Sequence, residues 1–132
     1  MDLKILEIAS NTENNKVLDN HTHKSKNKNP ICGDEMEISL VIKNNKILDV
    51  GYQCKSCVYC QASVSLLSRN IKNKNLDEIK DFIKICENIF ENTKIILEKK
   101  WASFKELFNE KNKSRKECLL LPLKTVEKAL ND

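Results

Sequence analysis

The hydrophobic pattern changes period midway along the chain, and that switch limits the fold more than any single residue does. Met36, Ile38, Leu40 and Ile42 alternate with Glu37, Ser39, Val41 and Lys43, a period of two that predicts a strand with one buried face. Asn44-Asn45 comes next. Both residues tolerate positive φ, so a tight hairpin into a second strand over 47–53 is expected. Beyond Ser56 the apolar residues Cys57, Cys60, Val64, Leu67 and Ile71 fall on one helical face, which predicts a helix over 57–71 capped by Ser56. Asn75 and Glu78 form an Asn version of the capping box ahead of Ile79, Phe82, Ile83, Cys86, Ile89 and Phe90, so a second helix starts there. Helical stretches also follow around 101–108 and 118–130, separated by the charged run KNKSRKE. Strands first and helices afterwards read as α+β, a small antiparallel sheet packed against several helices.

A chain of 132 residues fits one domain. LKILEI near the start can open a short helix, but the residues from there to Pro30 are polar, Asn-rich and basic, with only Val17 and Leu18 to bury. Residues 1–28 are therefore expected to be a flexible or partly helical lead-in to a single domain over 29–132. With 23 Lys and Arg against 19 Asp and Glu the net charge is +4, and aromatic residues make up 5% of the chain. That is neither the dense basic footprint nor the stacking platform of a nucleic-acid binder, which leaves a small basic nucleic-acid module as a remote alternative. No apolar run approaches the roughly 18 residues of a membrane span, and MDLKILEIAS lacks the apolar stretch of a signal peptide; the expected location is the cytoplasm. In a reducing compartment the six cysteines are thiols, metal ligands or sulfur carriers rather than a disulfide framework.

Cys32 lies in the turn-rich run Asn29-Pro-Ile-Cys-Gly-Asp34, where Pro30 stiffens the approach and Gly33 permits tight backbone geometry. Cys54, Cys57 and Cys60 form C-x-x-C-x-x-C where the second strand meets the first long helix. The free N–H groups of a helix start favour a thiolate, hence a nucleophile or a metal ligand at Cys57. Cys118 follows Arg115, Lys116 and Glu117 at the expected start of the last helix, so its thiol is expected to ionise easily beside those cations. Cys86 falls on the apolar stripe between Ile83 and Phe90 and reads as a small core residue. Cys54 and Cys60 read as a strand-end thiol and a helix-face core residue, with spare ligands as the other option. His21 and His23 read as a solvated pair. A zinc ribbon would require a second C-x-x-C knuckle, and none is present.

Three stretches, in order, resemble the motifs of the NifU/IscU/SufU family of iron-sulfur cluster assembly scaffolds. NPICGDEMEISLVI resembles the family's N-P-x-C-G-D motif and first long strand. SCVYCQASVSLLSRNIKNKNLDEI resembles its G-C-x-x-x-x-A-S-x-S-x-L helix and K-G-K-x-L-D-E turn, and ECLLLPLKTVEKAL resembles its C-terminal K/H-C-x-x-L helix. Together these cover about residues 29–78 and 115–130. The resemblance implies a SufE/NifU-like fold and a scaffold or carrier rather than an enzyme. A scaffold of this kind accepts sulfur as a persulfide from a cysteine desulfurase, takes iron from a donor, builds a [2Fe-2S] cluster and passes it to recipient apoproteins. By position the resemblance assigns Cys32, Asp34, Cys57 and Cys118 as ligands of the cluster or iron. It makes Cys118 the persulfide acceptor, as in the IscU branch, whereas in the SufU branch the acceptor corresponds to Cys32. The same four residues suit zinc, which makes a zinc-dependent persulfide carrier the alternative. Glu117 stands where the IscU branch has a His ligand, leaving Asp34 as the fourth ligand with Glu117 as a competitor. The chaperone motif L-P-P-V-K and the long SufU insertion have no counterpart here, and Cys54 and Cys60 are additions to the family pattern.

Overall fold

The computed structural model describes residues 3–92 and 94–131. Strand β2 (Glu35–Lys43) and strand β3 (Lys46–Lys55) form the expected hairpin. Asn44 and Asn45 occupy its turn at φ 54° and 63°, the left-handed pair that matches the twist of the flanking strands. Helix α2 (Val58–Ile71) follows directly, then α3 (Leu76–Ile89), two 3-10 segments (Lys99–Glu106 and Glu110–Arg115) and α4 (Lys116–Leu130). The α+β expectation holds: a three-stranded antiparallel sheet lies against α2 and α4.

Residues read as a lead-in join this core. Helix α1 (Leu3–Ala9) buries Ile5 and packs on α2, and strand β1 (His23–Lys28) pairs with β2 from His23↔Leu40 to Lys28↔Glu35. The boundary expected after residue 28 thus falls between two paired strands. The sequence HKSKNK hides the strand because it has no apolar alternation; at a sheet edge, backbone pairing does not require it. Lys24 and Lys26 flank the cross-strand Glu37 at 3.0 and 3.3 Å, Ser25 donates to the Thr125 carbonyl at 2.6 Å and Lys128 to that of Lys26 at 2.9 Å. Between α1 and β1 the chain is fastened by buried Asn14, whose carbonyl accepts from the Tyr52 N–H and whose amide donates to Ser68. Gly51 permits this crossing, since a Cβ there would lie 2.5 Å from the Lys16 carbonyl oxygen.

Asn75 caps α3 by accepting from the Glu78 N–H at 2.9 Å, as the capping box predicts. On α2 the first residue outside the helix is Cys57 rather than Ser56, and no side chain caps that end. The stretch expected as a helix over 101–108 is 3-10 through Glu106. It holds Trp101 and Phe104 against Phe82 of α3, with the Trp101 and Phe82 rings stacked at 4.1 Å. Helix α4 starts two residues before Cys118 and contains Pro122, which has no N–H to offer the Cys118 carbonyl four residues back.

Candidate functional site

Three chain segments meet at one end of the sheet. The β1–β2 loop is a tight turn in which the Gly33 N–H donates to the Asn29 carbonyl and the Asn29 N–H to the Asp34 carbonyl, both at 2.8 Å. The Asn29 side chain accepts from the Ile31 N–H at 3.0 Å, and Gly33 sits at φ 78°, where a side chain would be strained. The turn leaves Cys32 exposed and directs Asp34 inward to 7% exposure. Cys57 stands at the N-terminal end of α2, and its N–H donates to Asp34 Oδ1 at 3.3 Å. Cys118, in the first turn of α4, arrives from the other side and is buried.

The ligand atoms of Cys32, Asp34 and Cys118 all lie within 4.8 Å of one another, the one such group among the described residues. Cys57 adjoins it: it neighbours the Cys118 thiol, whose ionisation it opposes, and its N–H donates to Asp34. Among the described residues Asp34 Oδ2 is buried with no hydrogen-bond partner. A polar oxygen stripped of water and left unpaired is costly. Beside two thiols it completes a donor set that suits a thiophilic metal, so these residues fit a metal ion.

The expectation that Cys118 ionises easily is overturned. Burial pushes its thiol well above the ordinary cysteine range, and the neighbouring Cys57, Cys32 and Asp34 push the same way. The cations meant to help it point elsewhere: Arg115 lies over the Tyr59 ring at 5.1 Å and Lys116 pairs with Glu91 at 3.2 Å. Glu117, the possible competitor ligand, is 3.7 Å from Lys124 and lines a groove between α3 and α4 with Glu87 and Phe90. Cys86 is a fully buried core residue, as is Cys60, and burial raises both thiols. Cys54, half-buried at the end of β3, has its thiol raised for the same reason. His21 and His23 turn to different partners, the Leu18 carbonyl and the Thr22 hydroxyl.

Sequence reasoning missed the Arg115–Tyr59 contact, which joins the starts of α4 and α2. The signal was slight: an aromatic residue between two cysteines and a lone arginine before the third. The unpaired oxygen of Asp34 left no mark on the sequence.

Residues 2–130 match the model of the NifU-like N terminal domain. The chain belongs to this family, which groups scaffolds of the NifU, IscU and SufU type. It is 29% identical over 127 residues to the iron-sulfur cluster assembly scaffold protein IscU of Thermotoga maritima, covering 96% of this chain and 89% of that one. It is 30% identical over 113 residues to an uncharacterized protein of Borreliella burgdorferi, covering 84% and 73%. The fold is that of the N-terminal NifU-like protein from Brucella abortus, with a TM-score of 0.90 at 22% identity over 98% of this chain and 91% of that one. A protein of Fervidobacterium islandicum, described as a candidate iron-sulfur cluster assembly scaffold for the SUF system, superposes with a TM-score of 0.89 at 27% identity over 98% and 96%. Among the described residues no helix is long and apolar enough to cross a membrane.

Proposed function

We propose that this NifU-family chain is an iron-sulfur cluster assembly scaffold whose cargo is a [2Fe-2S] cluster held by Cys32, Asp34, Cys57 and Cys118. The observation that carries this reading is the gathering of Cys32, Asp34 and Cys118 within 4.8 Å around a carboxylate oxygen that is buried and unpaired among the described residues. Thiolates are the ligands iron-sulfur clusters use. A carboxylate is a harder and poorer partner for such a cluster, which suits a protein that must release what it binds. Its partners on this reading are a cysteine desulfurase, an iron donor and recipient apoproteins.

Sulfur enters at Cys32, the exposed thiol of the set. Its thiolate attacks the terminal sulfur of the desulfurase persulfide, the old S–S bond breaks, and the desulfurase thiolate leaves. Cys118, buried and with its thiol raised by that burial, is the later acceptor rather than the first. The compactness of the group also favours a second reading, in which a single zinc ion sits among these residues and the chain carries persulfide without building a cluster.

Anaerobic reconstitution with ferrous iron, a cysteine desulfurase and cysteine tests the assignment. It should produce cluster absorbance and matching acid-labile sulfide, both lost in Cys57→Ala. An unchanged spectrum in that variant sinks the ligand set. Tightly held zinc without labile sulfide selects the carrier reading instead.

A further inference from the structure

The C-x-x-C formed by Cys57 and Cys60 lies across the first turn of α2: Cys57 is the residue just outside the helix and Cys60 is its third residue. On helical geometry, Cα atoms three residues apart are separated by about 5 Å, inside the roughly 4.4–6.8 Å that a disulfide spans. The two sulfurs differ in access. Cys57 is half-buried and faces Asp34 and Cys118, whereas Cys60 is 0% exposed. Shielded in this way, Cys60 meets only sulfur held on its own chain. The same helix end holds Asp34, buried at 7% exposure, through the Cys57 N–H, with Oδ2 unpaired among the described residues. Cys54, the remaining member of the run, stands on β3 and lacks this helical turn.

We propose that Cys57 and Cys60 are a resolving dithiol that reduces sulfane sulfur held on Cys57 to hydrogen sulfide. This rests on the sulfur-accepting reading above, and it gives the scaffold a two-electron reductant of its own. Sulfur reaches Cys57 from the neighbouring Cys118 or from Cys32 by thiol–persulfide exchange. The Cys60 sulfur then attacks Cys57 Sγ, and the bond from Sγ to the terminal sulfur breaks. Its electron pair leaves with that sulfur, which also takes the Cys60 proton. The balance is one persulfide and one thiol in, one Cys57–Cys60 disulfide and one hydrogen sulfide out. Two cysteine sulfurs are oxidised to the disulfide and the sulfane sulfur is reduced to sulfide, the oxidation state a cluster contains. A dithiol reductant of the thioredoxin class then reopens the disulfide for the next turnover.

Reduced protein freed of small thiols is loaded in two ways, with a cysteine desulfurase plus cysteine and with inorganic polysulfide. Released sulfide is measured, and disulfides are mapped by peptide mass spectrometry. Wild type should release close to one sulfide per persulfide and acquire a Cys57–Cys60 disulfide. Cys60→Ser and Cys60→Ala should keep the persulfide and release sulfide at least tenfold more slowly. The disulfide map on wild type needs no substitution, so a folding defect in either variant cannot decide the result. Release at the wild-type rate from a folded Cys60 variant overturns the proposal. So does a disulfide mapped to Cys54–Cys57 or Cys57–Cys118, or failure of polysulfide to load Cys57. Loading by polysulfide but not by desulfurase, followed by normal release, refutes the sulfur-donor part of the function while leaving the dithiol standing.

Discussion

Replacing Asp34 with Asn should move metal-free stability and metal binding in opposite directions. In the metal-free protein the Asp34 carboxylate is 7% exposed, one oxygen accepting from the Cys57 N–H at 3.3 Å and the other without a partner among the described residues. An unsatisfied buried polar group costs about 1–3 kcal/mol, and more when charged. Asn removes the charge and can still accept the Cys57 N–H, so the metal-free Asp34→Asn protein should be at least as stable as wild type, by up to about 2 kcal/mol. With zinc the order reverses. At a free concentration 100 times the wild-type Kd, binding adds about 2.7 kcal/mol to wild type; a variant whose affinity is a hundredfold weaker gains only about 0.4 kcal/mol. The assay is anaerobic urea unfolding of both proteins with and without zinc, with Kd from competition against a chromophoric chelator. A variant less stable than wild type without metal, yet equal to it in zinc affinity, would refute the claim that the unpaired Asp34 oxygen is a metal ligand.

Two further outcomes follow from burial and close approach. Cys86 is fully buried, and burial raises its thiol far above the ordinary range. Below the unfolded thiol value, near pH 8.5, both states hold the proton and stability does not depend on it. Above that value the unfolded chain ionises and the folded one does not, so stability falls with rising pH by about 1.4 kcal/mol per unit. Urea titrations from pH 9 to 11 should therefore give a slope shallower by about that amount in Cys86→Ala than in wild type, and parallel lines would show that Cys86 ionises while folded. Gly51→Ala places a methyl group 2.5 Å from the Lys16 carbonyl oxygen and 3.0 Å from Leu18 Cγ. It should cost roughly 1–3 kcal/mol and speed amide exchange around Asn14 and Leu18; unchanged exchange there would mean that the crossing does not depend on the missing side chain.

The hairpin and the two long helices were legible because their signals are local. Met36 to Ile42 alternate, Asn44-Asn45 fits a left-handed turn, and Asn75 with Glu78 closes a cap within one helical turn. Strand β1 was not legible, since a Lys- and Asn-rich edge strand is held by its partner's backbone and by Ser25 and Lys128 contacts with α4. The 3-10 form of Lys99–Glu106 was also hidden, because it accompanies the packing of Trp101 and Phe104 on Phe82 rather than a change in residue spacing.

At the site the division is sharper. The sequence alone placed Cys32, Cys57 and Cys118 at the ends of elements, and its motifs pointed to the family that the chain belongs to. Only the folded chain decided that the ligand atoms of Cys32, Asp34 and Cys118 lie within 4.8 Å of one another, that burial raises the Cys118 thiol, and that one Asp34 oxygen is buried and unpaired among the described residues. Periodicity and caps act over a few neighbouring residues, whereas loss of water and the approach of like charges depend on segments distant in the chain, and those are set only when the core closes.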